Sequence, residues 1–275
     1  MTLSLATPHA TLPDLRRMAS DAPALTILAI LLALGLIPLY AAMALDLRIF
    51  QGESPWMKPL KFHYALGVYT ITLAFFARYL PEATRKGRPW RWFTAAVVFA
   101  IVAEVAWLSA AAMQNTASHF NTEVPLFTAV YPLMGAFATL LTSASLVMGI
   151  LIWRNRVTGL HPALQLSVAL GLILTFVLTL PVAGYLSGNG SHFVGTSTRA
   201  LWVMGWSRDA GDLRVAHFLA THALHFVPLG GLLAVWALPA QATRAVWLVA
   251  GVFAALVIFT FVQALQGRPF LPFLG

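Results

Sequence analysis

The stretch GDLRVAHFLATHALHFVPLGG (211–231) sets three imidazoles, His217, His222 and His225, in apolar surroundings. Imidazole is the side chain that titrates near neutral pH and that ligates Zn, Cu and Fe. On a helix of 100° per residue with His217 at about 0°, Thr221 falls at about 40°, His225 at about 80° and His222 at about 140°. All three rings therefore share one side. Leu219, Ala223, Phe226 and Val227 take the opposite side, so the helix has a polar face and an apolar one.

One carboxylate matches them. Glu104 is the only acidic residue in the middle of an apolar segment, ten residues before Gln114 and so about 15 Å from that end at ~1.5 Å per residue. Counted inward from Leu213, His217 lies about 6 Å deep, His222 about 14 Å and His225 about 18 Å. Glu104, His222 and His225 are thus expected at one level. A lone carboxylate at that depth costs several kcal/mol unless neutral or paired. His63 opens another apolar segment at the shallower level of His217, and the two form the expected rim above this floor. His119 and His192 stand in loops beside it. The loops also carry Trp56, Trp202 and Trp206, whose amphipathic rings suit a membrane interface and could cover a pocket.

The elements that must position these groups follow from composition. Of 275 residues 59% are hydrophobic and 9% charged, far below the share of about 25% charged in a soluble domain. Apolar runs near the 20 residues that cross a bilayer recur along the chain. Seven spans are expected, at 24–45, 61–80, 92–114, 124–153, 162–186, 213–239 and 245–266, in one all-α domain covering 1–275. Residues 1–22 form a cytoplasmic tail. The first apolar segment, although it follows Arg16 and Arg17 and ends near Ala42-Met43-Ala44, exceeds a signal-peptide core and reads as a retained span. Lys and Arg divide ten to seven between the two sets of loops, with RKGRPWRW the densest basic run. The positive-inside rule then puts the N-terminus inside, the C-terminus outside and the histidine-rich ends outside. The inner membrane of a bacterium is the expected location, with the site on its extracytoplasmic side. The tripeptide SHF occurs at 118–120 and again at 191–193, an echo too short to establish a duplication.

Two chemistries fit. Imidazoles backed by a carboxylate suit a bound cofactor: haem b on His63 and His217, or Cu, Zn or Fe on His217, His222 and His225. Such a protein would do redox or metal-dependent chemistry on a small or lipid-soluble substrate, with Glu104 as proton acceptor. The alternative is a proton-coupled carrier or relay using the same residues with no cofactor. The bland reading, polar residues that only pack helices, also stands for any single histidine. With no Cys, thiolate chemistry is excluded. The net charge of +8 is explained by the membrane rather than by nucleic acid. Span seven holds neither a lysine for a retinal Schiff base nor a histidine.

Overall fold

A computed structural model describes residues 14–121, 123–201 and 204–271. It is nearly all-α, with helices over 75% of the chain, so helix faces alone must bury the apolar residues. Six helices are long and apolar enough to cross a membrane, and a bent pair would make a seventh span. The contacts divide the chain into two compact units. One runs to Ala144 and includes Asn155–Leu160; the other holds Ser145–Arg154 and continues from His161.

In the first unit a short helix, α1 (Leu15–Asp21), is capped by the Asp14 carboxylate, which accepts from Arg16 N. Helix α2 (Pro23–Leu45) follows with proline at its first position, where the missing N–H costs nothing. It packs on α3 (Met57–Phe76), which ends in a 3₁₀ turn at Ala77–Tyr79. A one-turn basic helix, α4 (Glu82–Lys86), leads into α5 (Arg88–Met113). Arg85 of α4 pairs with Asp21 of α1 and so ties the two short helices together. Helix α6 (Pro125–Arg154) begins in this unit. Of the most apolar stretch of α2 only 22% is buried within the protein. Exposed apolar surface of that extent is what a membrane-spanning helix presents.

The second unit is built around α7 (Pro162–Gly188), whose most apolar stretch is 56% buried. Against it lie α8 (Leu213–Thr221), α9 (Ala223–Ala237) and α10 (Ala242–Leu265). A two-residue antiparallel ladder, β1 (Phe193–Val194) with β2 (Gly211–Asp212), pairs Phe193 with Asp212 and closes the loop ahead of α8. Asp212 caps α8 by accepting from Arg214 N, as its position before the apolar run suggests.

The expected sixth span is not one straight helix. Its two halves bend by 54° at His222. Two contacts with α7 accompany the bend. The Leu224 N–H leaves the helical ladder and donates to Thr175 Oγ1 of α7 at 2.9 Å. Gly171 of α7 lets the α9 backbone approach: a Cβ there would stand 2.9 Å from Ala223 O and 2.7 Å from Pro228 Cδ. Pro228, which invites a break in the sequence, sits inside the continuous α9 instead.

Candidate functional site

In the first unit the site forms around Glu104 on α5. Val97, Ala100, Ile101, Leu108 and Ala111 surround it on the buried face, and Glu104 itself is 3% exposed. Its Oε2 is buried without a hydrogen-bond partner. Lys58, in the first turn of α3, lies within electrostatic range of this carboxylate, yet the two make no contact ion pair. The Lys58 ammonium instead donates to His119 Nδ1 at 3.2 Å, and Ser118 Oγ lies 3.0 Å from the same nitrogen. The Trp107 indole N–H donates to Ser118 O at 3.0 Å and holds this loop to α5. Aromatic rings flank His119: Tyr131 at 5.4 Å, Phe62 at 6.3 Å and Phe120 at 6.4 Å between centroids. Phe120 is left-handed (φ 58°). Phe193 of the second SHF tripeptide is in a strand, so the two tripeptides do not share a backbone conformation.

His63, also in the first unit, is oriented differently. Its Nδ1 donates to Pro59 O at 2.9 Å, which leaves the lone pair on Nε2. That edge faces Gly35 of α2, where even a methyl group would come within 3.0 Å of Nε2. Such a group would stand closer still to Cδ2, at 2.9 Å, so it meets the side of the ring rather than the Nε2 lone pair. Trp56 is anchored in its loop, with Nε1 donating to Asp46 Oδ2 at 2.8 Å. Arg48 chelates the same carboxylate and reaches the carbonyls of Ala112 and Met113. The Arg48 guanidinium first, then the Trp56 indole, hold the Asp46 carboxyl well below the usual carboxylate range.

In the second unit the three histidines line up along α8 and the start of α9. His222, at the bend, directs Nδ1 to Phe218 O at 2.7 Å, a carbonyl that can only accept. The neutral ring then carries its lone pair on Nε2. Phe218 stacks on the His222 ring at 4.0 Å, and Trp206 packs edge-on against Phe218 at 5.5 Å. The loop tryptophan therefore reaches His222 through one aromatic ring. His225 is the next neighbour, with its ring centroid 5.4 Å away. His217 has a buried Nδ1 with no hydrogen-bond partner and lies within electrostatic range of His222. His192 contributes its carbonyl to Leu213 N at the β-ladder. Trp202 lies outside the described residues.

The bend changes what the three rings can hold. Beyond His222 the helix axis turns, so the straight-helix wheel no longer relates His217 to His225. Among the described residues no three His, Asp or Glu side chains come together as ligands for one metal ion. His222 and His225 offer a neighbouring pair of nitrogen donors instead. Phe218 and Thr175 escaped the sequence reading, and Lys58 reads from sequence alone as a headgroup contact. For Lys58 a signal existed. On the α3 wheel it lies about 80° from Leu66 and about 60° from Leu73, whereas Lys61 is about 140° and 120° away. Leu66 and Leu73 are buried, so Lys58 turns toward the protein and Lys61 away from it.

No protein-family model, curated protein or solved structure matches the chain. The reading of the site therefore rests on its own chemistry.

Proposed function

We propose that this chain is a bacterial inner-membrane protein of seven spans that binds a haem or a single transition-metal ion through His222. It would act on a small or lipid-soluble substrate at the extracytoplasmic side. The observation that carries the reading is the His222 hydrogen bond to Phe218 O. A ring nitrogen tied to a carbonyl fixes the tautomer and presents the opposite nitrogen as a ligand, which is the usual outer-shell arrangement of a metal-bound histidine. His225 supplies a second imidazole beside it, and Trp206 with Phe218 keeps water from that face. Bound there, the group would supply redox or Lewis-acid chemistry. His63 is not assigned to it, because it belongs to the other compact unit, where its ring packs on Gly35.

The test is an absorption spectrum with elemental analysis on detergent-purified protein. A Soret band, or stoichiometric Fe, Cu or Zn, is expected. It should vanish in His222→Ala and persist in His161→Asn, which keeps the α7 cap made by the His161 side chain. A folded, colourless and metal-free preparation, made with haem and metals supplied during growth, overturns the reading.

A proton-coupled carrier or relay is the second reading, favoured by one observation: a 3% exposed carboxylate with an unpartnered oxygen near Lys58. It predicts proton uptake coupled to transport in vesicles, lost in Glu104→Gln.

A further inference from the structure

The group around Glu104 asks for an occupant of defined chemistry. One ammonium and one carboxylate are held within electrostatic range, without touching, in a region 3% exposed at the carboxylate. A lysine serving only to neutralise Glu104 would close on it, because its flexible stem allows the contact and an uncompensated buried charge is costly. Here the ammonium is held on His119 instead. The two charges sum to zero, so an anionic ligand would be opposed by Glu104 and a cationic one by Lys58. A neutral ligand that both accepts and donates hydrogen bonds satisfies the pair. Tyr131, Phe62 and Phe120 around His119 favour a planar ring. Phe99 and Val102, on the other side of α5, are 61% and 46% exposed, so the helix that carries Glu104 also meets lipid.

We propose that Lys58, His119 and Glu104 form the headgroup site of a quinone-type ligand. Its ring carbonyl accepts from the Lys58 ammonium, and in the reduced form its hydroxyl donates to the unpartnered Glu104 oxygen. The aromatic side chains around His119 flank the ring. The inference rests on the reading of the chain as acting on a lipid-soluble substrate, and it names the class of that substrate.

The experiment is calorimetric titration of the detergent-purified full chain with a short-chain ubiquinone carrying one isoprene unit. Saturable binding is expected. Lys58→Met should weaken it about tenfold or more, and Glu104→Gln should weaken binding of the dithionite-reduced quinol by as much, each the loss of one hydrogen bond to a charged group. Lys61→Met should change it less than about twofold, because that ammonium reaches only the exposed Glu53. Absence of saturable binding, or equal affinity in all variants with unchanged melting temperature, overturns the proposal. Should a variant fail to fold, an azido-quinone photolabel on the unaltered protein decides instead. Crosslinks within 58–62 or 104–131 support the site, and crosslinks confined to other segments overturn it. The His222-dependent spectrum is read on the same preparation. If that signal is present while quinone does not bind, the substrate class fails and the cofactor reading survives. Quinone binding without the signal gives the reverse.

Discussion

At the scale of single residues, what decides each group's role is which atom is already occupied. His63 and His222 both tie Nδ1 to a carbonyl one turn earlier, at 2.9 and 2.7 Å, yet their free edges differ. Gly35 closes in on His63, so Gly35→Ala should push the ring aside and strain its bond to Pro59 O. Overpacking of this kind costs about 1–3 kcal/mol. The expected outcome is a lowered unfolding midpoint in a denaturing-detergent titration, relieved by adding His63→Ala. An unchanged midpoint in the single variant would show that the ring is free to move. That Glu104 is buried among apolar side chains was legible in the residue pattern. The Gly35 contact was not, because it depends on the register of α2 against α3, and α2 is apolar on every face.

At the scale of elements, long apolar helices were legible, with ends displaced by a turn: α3 is Met57–Phe76 where 61–80 was expected, and α5 starts at Arg88 rather than 92. Turn and cap residues mark their ends: Pro23, Pro125 and Pro162 stand at the starts of α2, α6 and α7. The bent pair breaks at His222, not at Pro228 and the glycine pair, which lie inside the continuous α9. A tertiary contact made the choice. Thr175 Oγ1 takes the Leu224 N–H, a partner that no local pattern could disclose. Thr175→Val should leave that buried N–H unsatisfied and cost about 1–3 kcal/mol. Near-full loss of the His222-dependent spectral signal is expected with it, because the bend sets the His222 ring. Thr175→Ser, which keeps the hydroxyl, should restore both.

The loop before α8 gives a pH prediction of its own. Asp209 accepts from the Thr198 hydroxyl and N–H, from Ser207 Oγ and from Arg199 N. The Thr198 side chain contributes most to holding its carboxyl down, at about 2 against an ordinary 3.8. A lowered carboxyl stabilises the folded loop fully above its ordinary value, and that contribution is lost as pH falls through the lowered one. The loop should therefore keep its structure at pH 5 and loosen between about 4 and 2. Fluorescence from Trp206, isolated by replacing the other tryptophans with Phe, should report the change in that window. Asp209→Asn should abolish the pH dependence, and a transition centred near pH 6 would trace the change to a histidine.

At the scale of the whole molecule, composition alone identifies the solvent. Helices with only 22% of their most apolar stretch buried, in a chain with 9% charged residues, need lipid against the remainder. The division into two compact units is a different matter, because no linker, charge run or glycine-rich segment marks it. The boundary falls inside the apolar α6, between Ala144 and Ser145, where the hydropathy pattern is featureless. Orientation is the property that the whole chain sets, through the distribution of its 17 Lys and Arg, and it decides which face offers the histidines. The absence of Cys makes it measurable with single substitutions. A membrane-impermeant maleimide applied to intact bacteria should label Ser191→Cys, in the loop before β1, and should label Gly87→Cys, between α4 and α5, only after the membrane is opened. Both sites lie outside the helices of the spans; because a Cβ at Gly87 would stand 3.1 Å from Ala83 O and Thr84 O, and Ser191 Oγ accepts from Phe193 N, folding of each variant is checked by its melting temperature before labelling. The reverse pattern would put the Trp206–Phe218–His222 stack and the Lys58–Glu104 group on the cytoplasmic side, and the extracytoplasmic substrate would have to be abandoned.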